Sequence, residues 1–182
     1  MVRGWPFVLA FALMMALAIA DVGRAVGAVG SCTAQQLSAT ASFQGETGSE
    51  VGGVSLRNRG PHACLLPRRA RLAIYWKQQR LRVAETPYAA YQPNNGQRQV
   101  GQLESRQRAF VPIWWSNWCG ARPWGKGFFR PYLRLTLADS TTLTVTLRHP
   151  SEIPPPRCDS PNQRTTFEVG RFYTPLPLGW IP

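Results

Sequence analysis

The sequence predicts an all-β domain: an antiparallel immunoglobulin-like β-sandwich of about eight or nine strands, carrying two disulfides. Three observations lead there. Past residue 36 the apolar residues alternate with a period of two, in short runs bounded by turn formers. Sixteen glycines and sixteen prolines interrupt every stretch long enough to form a helix. Four cysteines, all in the part of the chain that follows an apolar leader, form an even set. A helical bundle, a coiled coil and a disordered tail are thereby excluded as readings of the whole chain. With 182 residues and 44% apolar content, there is enough chain to bury one core.

Leu37, Ala39, Ala41 and Phe43 share one face of a first strand, and Val54 with Leu56 marks a second. Asn58-Arg59-Gly60-Pro61 ends it with residues that tolerate a positive φ. Leu72, Ile74 and Trp76 form the next face; a Lys77-Gln78-Gln79 turn then joins it to a short run at Leu81 to Ala84, which predicts a hairpin. From Glu85 to Gly101 the chain is polar, with Pro87, Pro93 and Asn95-Gly96, and reads as a long loop bearing Tyr88 and Tyr91. Strands resume at Val100 to Leu103 and at Ala109 to Trp115, where Val111 and Ile113 share the face of Trp115. Leu133, Leu135 and Leu137 alternate, Asp139-Ser140 turns, and Leu143, Val145 and Leu147 alternate back as a second hairpin. Pro154-Pro155-Pro156 imposes an extended connection, and Phe167 with Val169 makes a last short strand.

The domain boundaries follow from composition. Residues 1–20 read as a secretory signal peptide, with Arg3, an apolar run from Trp5 to Ala20, and Ala18-Ile19-Ala20 before Asp21. Asp21 and Arg24 cut that run short of the roughly 20 residues a spanning helix needs. Residues 21–31 form an N-terminal segment, 32–173 the β-domain and 174–182 a C-terminal tail. Val29-Gly30-Ser31-Cys32 loosely matches a lipoprotein cleavage box, a rival fate for Cys32. Export predicts a secreted, extracellular protein, with cell-envelope association as a further expectation.

An oxidising compartment implies that Cys32, Cys64, Cys119 and Cys158 are bridged. Three connectivities exist, and spacing does not decide among them; the unthreaded sequential pairing, Cys32 with Cys64 and Cys119 with Cys158, is the one expected. Zinc is disfavoured, because the chain has no Cys-x-x-Cys pair and neither His62 nor His149 is spaced as a ligand.

The net charge is +12, from 21 basic and 9 acidic residues. Removal of residues 1–20 takes only Arg3 and leaves 20 against 9, or +11. Nineteen of the cations are arginines, whose planar guanidinium binds anions in a bidentate way and stacks on aromatic rings. Arg57, Arg59, Arg68, Arg69 and Arg71 gather around the first turn; Arg80, Arg82, Arg98, Arg106 and Arg108 gather around the middle loops. Such clusters suit polyanions: a phosphorylated wall polymer or an acidic membrane surface, with nucleic acid set aside by export. An evenly solvated basic surface is the plain alternative. Trp114, Trp115, Trp118 and Trp124 crowd the stretch from Ile113 to Lys126. Trp115 and Trp118 flank Cys119 and read as core packed on a disulfide, whereas Trp114 and Trp124 read as surface residues. The candidate ligand surface is therefore Trp114, Trp124, Tyr88, Tyr91, Arg68, Arg69 and Arg71.

No catalytic residue, metal ligand or cofactor is expected. The chain lacks a Gly-x-Ser-x-Gly elbow, a His-Glu-x-x-His pair and a phosphate-cradling glycine loop with a lysine. Cys64 stands two residues from His62, but a bridged cysteine is no nucleophile. Glu85 and Glu104 are carboxylates that nothing in the sequence pairs. A protein partner held by the tyrosine loop and Trp114, with the charge incidental, is the alternative to polymer binding; a hydrolase ranks third.

Cys32-Thr33-Ala34-Gln35-Gln36-Leu37, the Asn58-Arg59-Gly60 turn with Cys64-Leu65-Leu66, and Trp115-Ser116-Asn117-Trp118-Cys119-Gly120 together resemble motifs of the actinobacterial family of secreted domains and lipoproteins of unknown function. Cys32-Thr33-Ala34-Gln35-Gln36-Leu37 is similar to its opening Cys and Leu, and Gly45 to Gly48 with Val51-Gly52-Gly53 to its glycine-rich stretch. Leu56, Asn58, Gly60 and Cys64-Leu65-Leu66 resemble its Asn-x-Gly turn and Cys-x-Leu. Trp115-Ser116-Asn117-Trp118-Cys119-Gly120 resembles its Trp-x-Asn-Trp-Cys-Gly segment, with Arg157-Cys158-Asp159 later. Departures occur at Glu104-Ser105-Arg106 and Arg68-Arg69-Ala70-Arg71, where that family more usually turns on Pro-Gly and Gly-x-Pro. The resemblance implies secretion, a disulfide-bonded sandwich and no known enzymatic activity.

Overall fold

In the computed structural model, residues 28–94, 96–119, 131–148 and 155–177 are described. They contain strands and no helix: β1 (Leu37–Glu46), β2 (Ser49–Asn58), β3 (Cys64–Leu65), β4 (Arg71–Trp76), β5 (Gln79–Arg80), β6 (Ala84–Pro87), β7 (Arg98–Gln99), β8 (Gln102–Leu103), β9 (Arg108–Ser116), β10 (Tyr132–Thr136), β11 (Thr142–Leu147), β12 (Thr166–Val169) and β13 (Tyr173–Thr174). The signal peptide expected at 1–20, most of segment 21–31, Trp124, His149, Pro154 and the end of the C-terminal tail lie outside the described residues.

One continuous sheet runs in the order β5-β4-β10-β11-β1-β2-β9-β12-β6, with β13 on β9 and β7 on β13; β3 and β8 form a separate pair. The sheet curls. Ile74 and Leu133, near one end of that order, line the same small apolar void as Trp115, near the other. At the seam the two ends meet, where the Leu72 N–H of β4 donates to Glu85 Oε2 of β6 at 3.1 Å. Within the curl lies one core, built from the residues the period-two pattern selects: Leu37, Ala39 and Ala41; Val54 and Leu56; Leu72 and Ile74; Ala109, Val111, Ile113 and Trp115; Leu133 and Leu135; Val145 and Leu147; Phe167 and Val169.

The expectation of purely antiparallel pairing is corrected at two places. β1 runs parallel to β11, with Thr40 opposite Thr146, and β6 runs parallel to β12, with Phe167 opposite Glu85. Alternation reveals which residues face the core but carries no information about which strand lies alongside, so direction was not readable. The stretch from Glu85 to Gly101 is likewise more structured than a loop, since it contains most of β6 and all of β7. Both are edge strands whose residues are exposed, so neither shows an apolar alternation. Pro87 closes β6 at the sheet edge, where a missing N–H costs little. The pairing also extends past residue 173: Thr174 belongs to β13, and its Oγ1 donates to Arg108 O at 3.1 Å.

The second expected hairpin is present as read, whereas the first is corrected in its return arm: β4 pairs with Gln79–Arg80 and not with Leu81 to Ala84, because the turn takes only two residues and Gln79 already belongs to the strand. Trp76 faces Gln79 across a two-residue turn in which Lys77 and Gln78 both have positive φ (45° and 66°), the geometry that matches strand twist. Leu133 faces Val145 and Leu135 faces Leu143 in the second hairpin. Its turn is held by Asp139 Oδ1, which accepts the Thr141 N–H at 3.0 Å and the Thr141 hydroxyl at 2.6 Å. The Asn58 turn is built on a fully buried side chain: Nδ2 donates to His62 O and Leu103 O, and Oδ1 accepts the Gly60 N–H. Gly53 of β2 leaves room for the Phe110 ring lying across it, which a Cβ would strike.

Two disulfides join Cys32 to Cys64 and Cys119 to Cys158. The first ties the segment before β1 to β3, and the second ties the end of β9 to the segment before β12. Trp115 and Trp118 are buried, with ring centroids 6.0 Å apart.

Candidate functional site

The seam that Glu85 closes opens outward into a groove of about 500 Å³, lined from the β4 side by Arg69, Ala70 and Arg71, and from the β6 side by Glu85, Pro87, Tyr88 and Tyr91. The segment that follows β12 supplies Gly170, Arg171 and Tyr173. Four of the seven residues expected from sequence therefore meet in space: Tyr88, Tyr91, Arg69 and Arg71. Trp114 stands beside them, half-buried on β9, its ring edge-on to Tyr88 at 6.2 Å. Arg68 is exposed next to Arg69 but does not line the groove. Trp124 is outside the described residues.

The tyrosines are held by backbone and side-chain bonds. The Tyr88 N–H continues the β6–β12 ladder to Val169 O at 3.0 Å. The Tyr91 hydroxyl donates to Gln97 Oε1 at 2.9 Å, the same oxygen accepts the Asn94 N–H, and Gln97 Nε2 donates to Pro175 O. A polar loop is thus tied down at several points. Its rings form a row, with Tyr88 and Tyr91 centroids 5.6 Å apart and Tyr91 and Tyr173 5.2 Å apart. Desolvation raises both the Tyr88 and Tyr91 phenols above their ordinary value; nearby Glu168 and Glu46 add to this at Tyr88, while the Gln97 bond opposes it at Tyr91. Both therefore remain hydrogen-bond donors through neutral pH.

Glu85 is exposed as a residue, but its carboxylate turns in to the seam. Desolvation raises its pKa, opposed by the Leu72 N–H and by the charges of Arg71 and Arg80. Its hydrogen bond is to a backbone N–H, and Arg71 and Arg80 act on it through their charge. Glu104 sits at a different turn, where its Oε1 accepts from Gln102 Nε2 at 2.6 Å.

Sequence reasoning missed Arg171, Tyr173 and the seam role of Glu85. The first two carried no signal: continuing the alternation from Val169 would put Arg171 and Tyr173 on the core side, but the phase changes at Gly170, so Phe172 is buried and Arg171 is exposed. It also missed a stacked pair on the outer face of β4 and β10, Tyr75 and Tyr132, with centroids 5.3 Å apart and the Arg134 guanidinium 4.6 Å from the Tyr75 centroid. Tyr132 and Arg134 are the outward partners of Leu133 and Leu135.

Comparison of the chain with known protein families, with curated proteins and with solved structures finds no match.

What the groove offers is a row of aromatic faces beside three guanidinium groups from Arg69, Arg71 and Arg171. Rings of this kind stack on the apolar faces of sugars and guanidinium forks grip oxyanions. The acidic Glu168 and Glu46 lie at the Tyr88 end, so an anionic ligand meets attraction at the arginine end.

Proposed function

We propose that this is a secreted, non-catalytic domain of the actinobacterial cell envelope that binds an anionic surface polymer through the arginine- and tyrosine-lined groove. The observation that carries this reading is the convergence of Tyr88, Tyr91 and Tyr173 with Arg69, Arg71 and Arg171 along one open groove. The two disulfides are consistent with an extracellular protein. A binding role is favoured over hydrolysis because Glu85, the carboxylate of the groove, is already engaged by the Leu72 N–H in closing the sheet. The same reading takes the curled sheet as an immunoglobulin-like sandwich, supported by the meeting of Ile74 and Leu133 with Trp115 across the core.

Retention of the protein on isolated cell wall tests this. Retention that falls as salt rises, and that is lost in Arg69→Gln/Arg71→Gln, is the expected result, because exposed charges are screened within about 10 Å at 0.1 M salt. The competing reading is a protein partner seated on Tyr88 and Trp114; it predicts retention that survives high salt and is insensitive to the arginines.

A further inference from the structure

Away from the groove, β11, β1, β2 and β9 lie side by side. Leu147, Leu37, Ala39, Leu56 and Ala109 point into the core from these strands, so their neighbours Arg148, Ser38, Thr40, Arg57 and Arg108 are carried on the opposite face. Arg57 and Arg108 are direct cross-strand partners in the β2–β9 ladder. Two cations placed opposite each other work against the pairing. Among the described residues neither has an ion-pair partner to offset this. Arg148 reaches the same place from the end of β11, where its N–H bonds Ala41 O at 3.0 Å. The three arginines, with the Ser38, Thr40 and Ser55 hydroxyl-bearing residues, line one shallow depression of about 220 Å³, and no acidic residue lines it.

We infer that this depression is a second binding site, specific for a tetrahedral oxyanion such as a phosphate group. Guanidinium forks and hydroxyl donors are the groups that recognise such an anion, each through charge-assisted hydrogen bonds. A bound dianion removes the Arg57–Arg108 repulsion and so stabilises the native state beyond its direct contacts. The site shares no residue with the groove and stands whether or not the groove binds a polymer.

The test is thermal unfolding of the exported protein in inorganic phosphate against chloride at equal ionic strength. Wild type is expected to gain about 3 °C at a phosphate concentration roughly tenfold above its Kd. Arg57→Gln and Arg108→Gln lose this gain, whereas Arg69→Gln in the groove keeps it. Phosphate also stabilises proteins generally by exclusion from their surface. A gain of equal size in wild type and in both variants is that general effect and overturns the site, as does no gain at all. In chloride alone Arg108→Gln melts no lower than wild type, which shows that the variant folds. A glycerol-phosphate oligomer in place of inorganic phosphate separates the two sources: a gain at lower phosphate equivalents identifies a polymer-borne group, and an equal gain identifies the free ion.

Discussion

Asn117 grips Ser160 from both directions: its Oδ1 accepts the Ser160 N–H at 2.9 Å and its Nδ2 donates to Ser160 O at 3.0 Å. The same amide accepts the Asp159 N–H and donates to Gln163 O. Asn117 adopts a positive φ of 53°, which asparagine tolerates better than most residues. It thereby holds the segment that follows Cys158 against the end of β9, next to the second disulfide. Asn117→Ala leaves several backbone groups without their partner and is expected to cost about 2–3 kcal/mol in denaturant unfolding. Asn117→Asp keeps the acceptor and should lose less; equal stability of the alanine variant and wild type would remove the clamp from the account.

Glu50 is buried at 4% exposure, opposite Trp115 in the β2–β9 ladder, and burial raises its carboxyl from 4.5 to about 7. In the unfolded chain this group ionises near its ordinary value, so between roughly 4.5 and 7 the native state holds the extra proton. Its contribution to stability is full below that window and is lost as pH rises through about 7. Glu50→Gln therefore should be more stable than wild type at pH 8, by on the order of 2–3 kcal/mol, and show a flatter dependence across the window. Parallel pH profiles for the two proteins would contradict this.

The Leu72 amide is protected by the Glu85 carboxylate across the seam. In Glu85→Ala that N–H loses its acceptor, and its hydrogen exchange should speed up by about tenfold, with β4 otherwise protected. Glu85→Gln keeps an oxygen there and should retain most of the protection. Unchanged exchange in the alanine variant would mean that the seam is held by something else.

Each disulfide closes a loop, spanning 32 residues from Cys32 to Cys64 and 39 from Cys119 to Cys158. Replacing either pair by alanine is expected to cost about 3–4 kcal/mol in the chain-entropy picture. Intact mass before and after reduction checks the covalent state, since each bridge takes up two hydrogens. A lipid-modified Cys32 would show instead as a heavier N-terminus with one bridge fewer.

The sequence by itself determined whatever depends on neighbours along the chain. Period-two alternation selected Leu37, Val111, Ile113, Leu133 and Val145 as core, because a strand presents every second residue to the same side. The Lys77 and Asp139 turns and the burial of Trp115 and Trp118 were legible for the same local reasons; the sequential disulfide pairing was the expected one, but only the fold decides it, because the partners lie 32 and 39 residues apart. Strand direction, the β1–β11 and β6–β12 pairings and the edge strands β6 and β7 were decided only by tertiary structure, since hydrogen bonds between backbones leave no mark on side-chain order. The sites divide likewise: Tyr88, Tyr91, Arg69 and Arg71 could be named as surface candidates, but the curl alone brings Arg71 of β4 to the tyrosines that follow β6. Arg57 and Arg108 fall in different clusters of the sequence, and the ladder places them face to face.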